Sequence, residues 1–242
     1  MHLDNRIIKY TAIQPNDRVV FMHVPKAAGT SFCVILEEVY KEKFFNIAPF
    51  IPTTWEPYLP KGLNQFQALA GHFSIGNGEI YEMFDGPFVH LTMFRDPVER
   101  VLSAYNYILI HPAHHQHELI ANRGLAEIYK NNEAYRFMFK NLQVLFLSGA
   151  PRPTRSDLEI AKENLEKYFS IFGFVEDNQW FIDILNKKFG WQEEQKFNNI
   201  SQYDKSIFSV RDLIAENNEL DLELYDYALK LYNKRKDENY YG

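Results

Sequence analysis

The stretch HVPKAAGTS gathers residue types that can do chemistry: Lys26, Gly29, Thr30 and Ser31 follow one another within a single short loop. An ammonium, a glycine that lets backbone approach, and two hydroxyl residues at a helix start suit an anion, because loop amides and the helix dipole converge on it. The spacing is not that of a Walker A loop, in which lysine follows the second glycine and a serine or threonine comes next. Here Lys26 precedes Gly29 by three residues. No acidic residue ends an apolar strand free to hold magnesium, since Asp96 reads as a helix cap. A nucleoside triphosphate wants that metal, so the loop suits a less charged transferred group. The histidines of HPAHHQH (His111, His114, His115 and His117) raise a metal reading. No cysteine or carboxylate pattern accompanies them, and a solvated loop is the simpler expectation.

The elements around the loop follow from hydrophobic periodicity. VVFMHV (19–24) is a short apolar run, the pattern of a buried strand. It breaks at Pro25, and Thr30 to Phe44 resumes as an amphipathic helix with Phe32, Ile35, Leu36, Val39 and Tyr40 on one face. Residues 46–65 hold Pro49, Pro52, Pro57 and Pro60 and predict a wrapping loop. Gln67–Phe73 and Pro87–Phe94 are further strands, with a short helix near Ile80–Phe84. The second strand runs into a helix signalled by Asp96 as N-cap, Pro97 at the first helical position and Glu99 at the capping-box position. Helices are expected over 118–130, 132–148, 156–168, 177–190 and 210–235, and a strand over 169–175. Strands alternating with helices imply an α/β domain with a central, mainly parallel sheet flanked by helices.

At 242 residues the chain predicts a single domain over 1–242, with 1–17 as lead-in and residues 108–124 and 149–156 as long loops. A net charge of −6 argues against nucleic acid as a partner. The single Cys33 cannot form an intrachain disulfide and sits among apolar neighbours, as a buried thiol would. No apolar run approaches transmembrane length and MHLDNRIIKY lacks signal-peptide order, so a cytoplasmic protein is expected. The acidic run from Glu216 to Glu223 reads as a solvated face.

HVPKAAGTS followed by FRDPVERVLSAY resembles the two nucleotide-binding motifs of sulfotransferases that use 3′-phosphoadenosine 5′-phosphosulfate (PAPS). The branch is that of heparan/dermatan 2-O-sulfotransferases and related bacterial enzymes. The resemblance continues through AGHFSIG, YFSIFGFVEDNQWFIDIL and LYDYALKLY, from about residue 18 to 233. It implies a P-loop-like three-layer fold and an O-sulfotransferase, with PAPS as donor, no metal, and a hydroxyl-bearing acceptor, a glycan in the first instance. Carried over by position, Lys26, Ala28, Gly29, Thr30 and Ser31 would hold the 5′-phosphosulfate, and Arg95 and Ser103 the 3′-phosphate. His72 would be the base, with Lys26 sharing the catalytic work. Arg100 would support the site or pair with an acid, and residues 108–124 and 149–156 would lie on the acceptor side.

The chain departs from the family in two places. Ala27-Ala28 stands where many members have Thr-Gly or Gly-Gly, and the segment after the second motif lacks their arginines and lysines. Arg152 and Arg155, in GAPRPTRSD, could close over an anion or belong to a surface loop. Lys196, Asn199, Ser201 and Lys205 lie where members carry acceptor- or nucleotide-side residues, and no role is assigned to them. Two other functions share the same features: a nucleotide kinase or NTPase, and a module that binds nucleotide without catalysis.

Overall fold

Buried apolar runs dictate the sheet. Val19–Met22 (β1), Ala68–Gly71 (β3), Val89–Phe94 (β4) and Ile171–Phe174 (β5) are buried at every position, as strands covered on both faces must be. The computed structural model describes residues 3–47, 62–76, 78–131, 133–135, 138–194, 210–238 and 240. Among these the sheet has five strands in the order β2-β3-β1-β4-β5, every pair parallel, with Phe44–Ile47 (β2) at one edge. Met22 is in register with Gly71 on one side and Thr92 on the other, and Thr92 Oγ1 donates to the Met22 carbonyl at 3.0 Å.

Strand alternation sends side chains to two cores. Val19 and Phe21 pack with Phe32, Ile35 and Leu36 of α1 (Gly29–Tyr40) and with Phe181, Ile182 and Leu185 of α7 (Asn178–Phe189). Val20 and Met22 face the opposite layer. There they meet α2 (Gly78–Met83), α5 (Leu142–Ser148), α6 (Arg155–Tyr168) and α9 (Glu219–Asp237). A third cluster joins α3 (Pro97–Leu109), α4 (His117–Lys130) and α8 (Arg211–Asn217). The lead-in is tied down: Ile7 bridges Phe88, and Leu3, Ile7, Tyr10 and Ile13 are buried.

Three sequence expectations change. The first helix ends at Tyr40, because Lys41 takes φ 50°, and the chain then forms β2 rather than more helix or loop. A helix over 132–148 is cut to α5, since Met138 (φ 58°) and Asn141 (φ 47°) leave the helical region. The last helix divides at Asn218, whose side chain bonds the Asn141 amide, the Phe139 carbonyl and the Tyr129 hydroxyl instead of facing solvent.

The cap on α3 forms as expected, the Asp96 carboxylate accepting from the Glu99 amide at 2.9 Å. The Glu99 side chain does not complete the reciprocal half, because it pairs with Arg211 at 2.6 Å. Residues 48–61, the core of the expected wrapping loop, and 195–209, with Lys196, Asn199, Ser201 and Lys205, lie outside the described residues. No helix of the described residues is long and apolar enough to cross a membrane.

Candidate active site

Because every strand is parallel, the loops after β1, β3 and β4 leave the same sheet edge, and these three strands are neighbours. Their order reverses around β1, the crevice where open α/β sheets bind ligands. Lys26, His72 and Arg95 each follow one of these strands.

The first loop is built by two residues of positive φ on either side of Ala27: Lys26 at 67° and Ala28 at 56°. A backbone that alternates hand in this way turns successive amides toward one point. Ala28 is left-handed at the N-cap of α1, its methyl group cannot cap the helix, and no acid occupies the first turn. The first amides of a helix lack intrahelical partners, so Gly29, Thr30 and Ser31 bring such amides to this loop. Asp96 caps α3, and Thr154 with Asp157 forms a capping box on α6, whereas the N-cap residues of α4, α5 and α7 make no side-chain cap either.

Gly29 has a steric reason to be glycine. A Cβ there would lie 1.9 Å from His23 Cδ2 and 2.2 Å from Nε2. His23, not singled out from the sequence, is buried and lies with its ring centroid 4.1 Å from that of His72. Its pKa is pushed down to about 2, chiefly by burial and then by His72 and Lys26. His72 Nδ1 lies 2.8 Å from the His23 carbonyl oxygen. A carbonyl only accepts, so Nδ1 carries the proton and Nε2 the lone pair. Burial lowers the His72 pKa, opposed by that backbone bond, and keeps the ring neutral at pH 7.

Lys26 Nζ sits 4.1 Å from the centroid of the Tyr107 ring, a cation–π contact. Burial, and then the nearby Arg95 charge, bring its pKa down to about 8. Arg95 Nη1 donates to the Lys26 carbonyl at 3.1 Å, which joins the second loop to the first. Lys26, Ala28, Gly29, Thr30, Ser31, His72 and Arg95 thus share one edge of the sheet. Ser103 is on the second turn of α3, buried at 3% exposure. Arg100 is fully buried, donates to the Met138 carbonyl at 2.9 Å and has the Asp221 charge as its electrostatic partner.

Asp221 corrects the acidic-run expectation. Far from being solvated, it is fully buried on α9, accepting from the Gln143 amide at 3.1 Å and the Val144 amide at 2.8 Å. Burial pushes its pKa up, and the Arg100 charge opposes that shift. Arg155 pairs with the Glu223 carboxylate on α9. Cys33 is a buried thiol pushed up to about 12 by burial.

The histidine segment leads away from Tyr107. The His111 ring lies tilted against that ring with centroids 4.1 Å apart and its Nδ1 2.6 Å from the Tyr107 carbonyl oxygen, and His114 and His115 stack at 4.5 Å. Among the described residues no group of three or more His, Cys, Asp or Glu is placed to hold a metal ion.

Residues 9–148 match the sequence model of the sulfotransferase family. That is more than half of the chain, and the chain belongs to this family. Among solved structures it is similar to mouse sulfotransferase SULT7A1 complexed with PAP, at 14% identity and a TM-score of 0.42. The match covers 88% of this chain and 66% of that one, so the chain spans less than two thirds of that protein's length. No curated protein sequence matches the chain.

Proposed function

We propose that the protein transfers a sulfuryl group from PAPS to a hydroxyl acceptor, with His72 as base and Lys26 at the developing negative charge. The observation that carries this reading is one constellation: an α1 N-terminus led by a left-handed Ala28, Lys26 beside it, Arg95 bonded to the Lys26 carbonyl, and His72 held with Nε2 as its acceptor nitrogen. The residues fit PAPS because two separate cation-bearing loops meet, one for each phosphate end. PAPS supplies the activated sulfuryl group. The amides of Gly29, Thr30 and Ser31 with Lys26 would hold its 5′-phosphosulfate. A guanidinium fork suits a phosphate monoester, so Arg95 would take the 3′-phosphate, with Ser103 as its neutral partner.

His72 Nε2 would remove the acceptor hydroxyl proton as the oxygen attacks sulfur. Lys26 would neutralise the oxygen that bridges sulfur and phosphorus as it leaves. A well-placed donor of this kind contributes roughly 2.7–4 kcal/mol. Holding the two reactants in line contributes much of the rest. On the acceptor side, Tyr107, His111, His114 and His115 form a run of rings starting at Lys26, and Ile110 beside them is 62% exposed. With Arg155 engaged by Glu223, this surface suits a ring-bearing carbohydrate better than a polyanion.

Asp96, which follows β4, has its carboxylate on the Glu99 amide, which favours sulfuryl over magnesium-nucleotide chemistry. The test is thermal unfolding with 3′-phosphoadenosine 5′-phosphate (PAP) or with ATP and magnesium. At a hundredfold excess over Kd, PAP should add about 2.7 kcal/mol, a rise of roughly 5–10 °C for a chain this long. A rise with ATP and none with PAP would overturn the donor assignment. Transfer of radiolabelled sulfate to an oligosaccharide panel then separates an enzyme from a binding module.

A further inference from the structure

One side chain holds both backbone groups of Arg95. The Arg95 amide donates to Gln143 Oε1 at 3.1 Å, and Gln143 Nε2 donates to the Arg95 carbonyl at 3.0 Å. Gln143 is fully buried in the first turn of α5. It is itself fixed from α9, since Asp221 accepts from the Gln143 and Val144 amides. Asn141, left-handed before α5, donates its amide to Asn218 Oδ1 at 2.8 Å and accepts from the Asp221 amide at 3.3 Å. The next residue of the β4–α3 junction is held as well, because the Asp96 amide donates to Glu176 Oε1 at 3.2 Å.

We infer that Gln143 is a positioning residue for the 3′-phosphate arm: its amide clamps the Arg95 peptide so that the guanidinium is aimed before nucleotide arrives. This rests on the PAPS reading of the site. An amide is suited to the task because it offers a donor and an acceptor on one planar group. A carboxylate keeps only the acceptor, and an aliphatic side chain keeps neither. A peptide freed from the clamp loosens the aim of the guanidinium even though it bonds the Lys26 carbonyl, while the first loop keeps β1 and α1 as its own frame. The consequence is selective: the affinity conferred by the 3′-phosphate should fall, and the affinity conferred by the 5′-phosphate and adenosine should stay.

The test compares PAP with adenosine 5′-phosphate by titration calorimetry on the wild type, Gln143→Leu and Gln143→Glu. Removal of both clamp bonds should lower the wild-type preference for PAP roughly tenfold or more, with adenosine 5′-phosphate affinity within about twofold of wild type. Gln143→Glu, which keeps the acceptor for the Arg95 amide, should fall between the two and serves if the leucine variant does not fold. An unchanged preference, or a proportional loss for both nucleotides, overturns the inference and leaves Gln143 as fold bracing. A wild type without any preference for PAP overturns the PAPS reading itself.

Discussion

Adding one methyl group at Gly29 tests how tightly the loop after β1 is built against the histidine pair. The new Cβ would lie 1.9, 2.2 and 2.4 Å from His23 Cδ2, Nε2 and Cγ. Carbon atoms rest at about 3.5–4.0 Å, so the ring must move by well over 1 Å. It has little room: His23 is 7% exposed, its ring lies 4.1 Å from that of His72, and its amide donates to the Gly71 carbonyl at 2.9 Å. Overpacking of this kind costs about 1–3 kcal/mol, against which replacing glycine in a helix returns at most about 1 kcal/mol. Gly29→Ala should therefore destabilise by about 1–2 kcal/mol. In a His23→Ala background the obstruction is gone, and the same change should be neutral or mildly stabilising. Urea unfolding of the four proteins gives the coupling energy, expected to be at least about 1 kcal/mol. If Gly29→Ala costs the same in both backgrounds within about 0.5 kcal/mol, the steric account of this glycine is wrong. Because His72 bonds the His23 carbonyl, kcat of Gly29→Ala should fall with stability and recover only in part in the double variant.

The neutral base His72 and the charged Lys26 predict a bell-shaped dependence of kcat/KM on pH. Its acid limb lies below the ordinary histidine value near 6.5, since burial lowers the His72 pKa, and its alkaline limb lies near 8, where Lys26 loses its proton. His72→Ala should abolish the acid limb along with most of the turnover. Lys26→Arg should abolish the alkaline limb, because arginine stays charged; a limb that remains near 8 would reassign it. Stability should also fall in acid: His23 and His90, pushed down to about 2 and about 3 mainly by burial, stay neutral in the folded chain. The unfolded chain binds those protons below pH 6.5, so each site costs about 2 kcal/mol between pH 6.5 and 5. His90→Gln should flatten the slope of urea midpoint against pH by that one proton, and an unchanged slope would contradict it.

What was legible in the sequence is what local pattern controls. The apolar runs of β1, β3, β4 and β5 announce strands buried on both faces, and Asp96-Pro97 announces the start of α3. β2 was not legible, because Phe44 and Phe45 are only half-buried at a sheet edge and continue the periodicity of the preceding helix. Asp221 misled for a related reason. Within a run of acids its charge argues for solvent, and only the amides at the start of α5, together with Arg100, make burial tolerable. His23 carried no signal at all, since a lone histidine closing an apolar strand gives no hint that its ring will face a glycine across the loop.

The assembly of the site shows where local pattern stops. Alternating strands and helices imply a parallel sheet, and a parallel sheet places the residues that follow its strands at one edge. That much puts Lys26, His72 and Arg95 on a common rim. It does not make them neighbours; the order β2-β3-β1-β4-β5 does, by setting β3 and β4 on either side of β1. Even then the rim fixes only where Arg95 begins. The aim we infer for its guanidinium depends on the Lys26 carbonyl it bonds, on a peptide held by Gln143, on Asp221 holding Gln143, and on Asn218 and Asn141 holding the start of α5. The residues proposed to bind the anion lie in two short motifs because each loop needs only its own strand and helix. The residues that aim them are scattered because they act between elements, and no spacing rule in the chain records that.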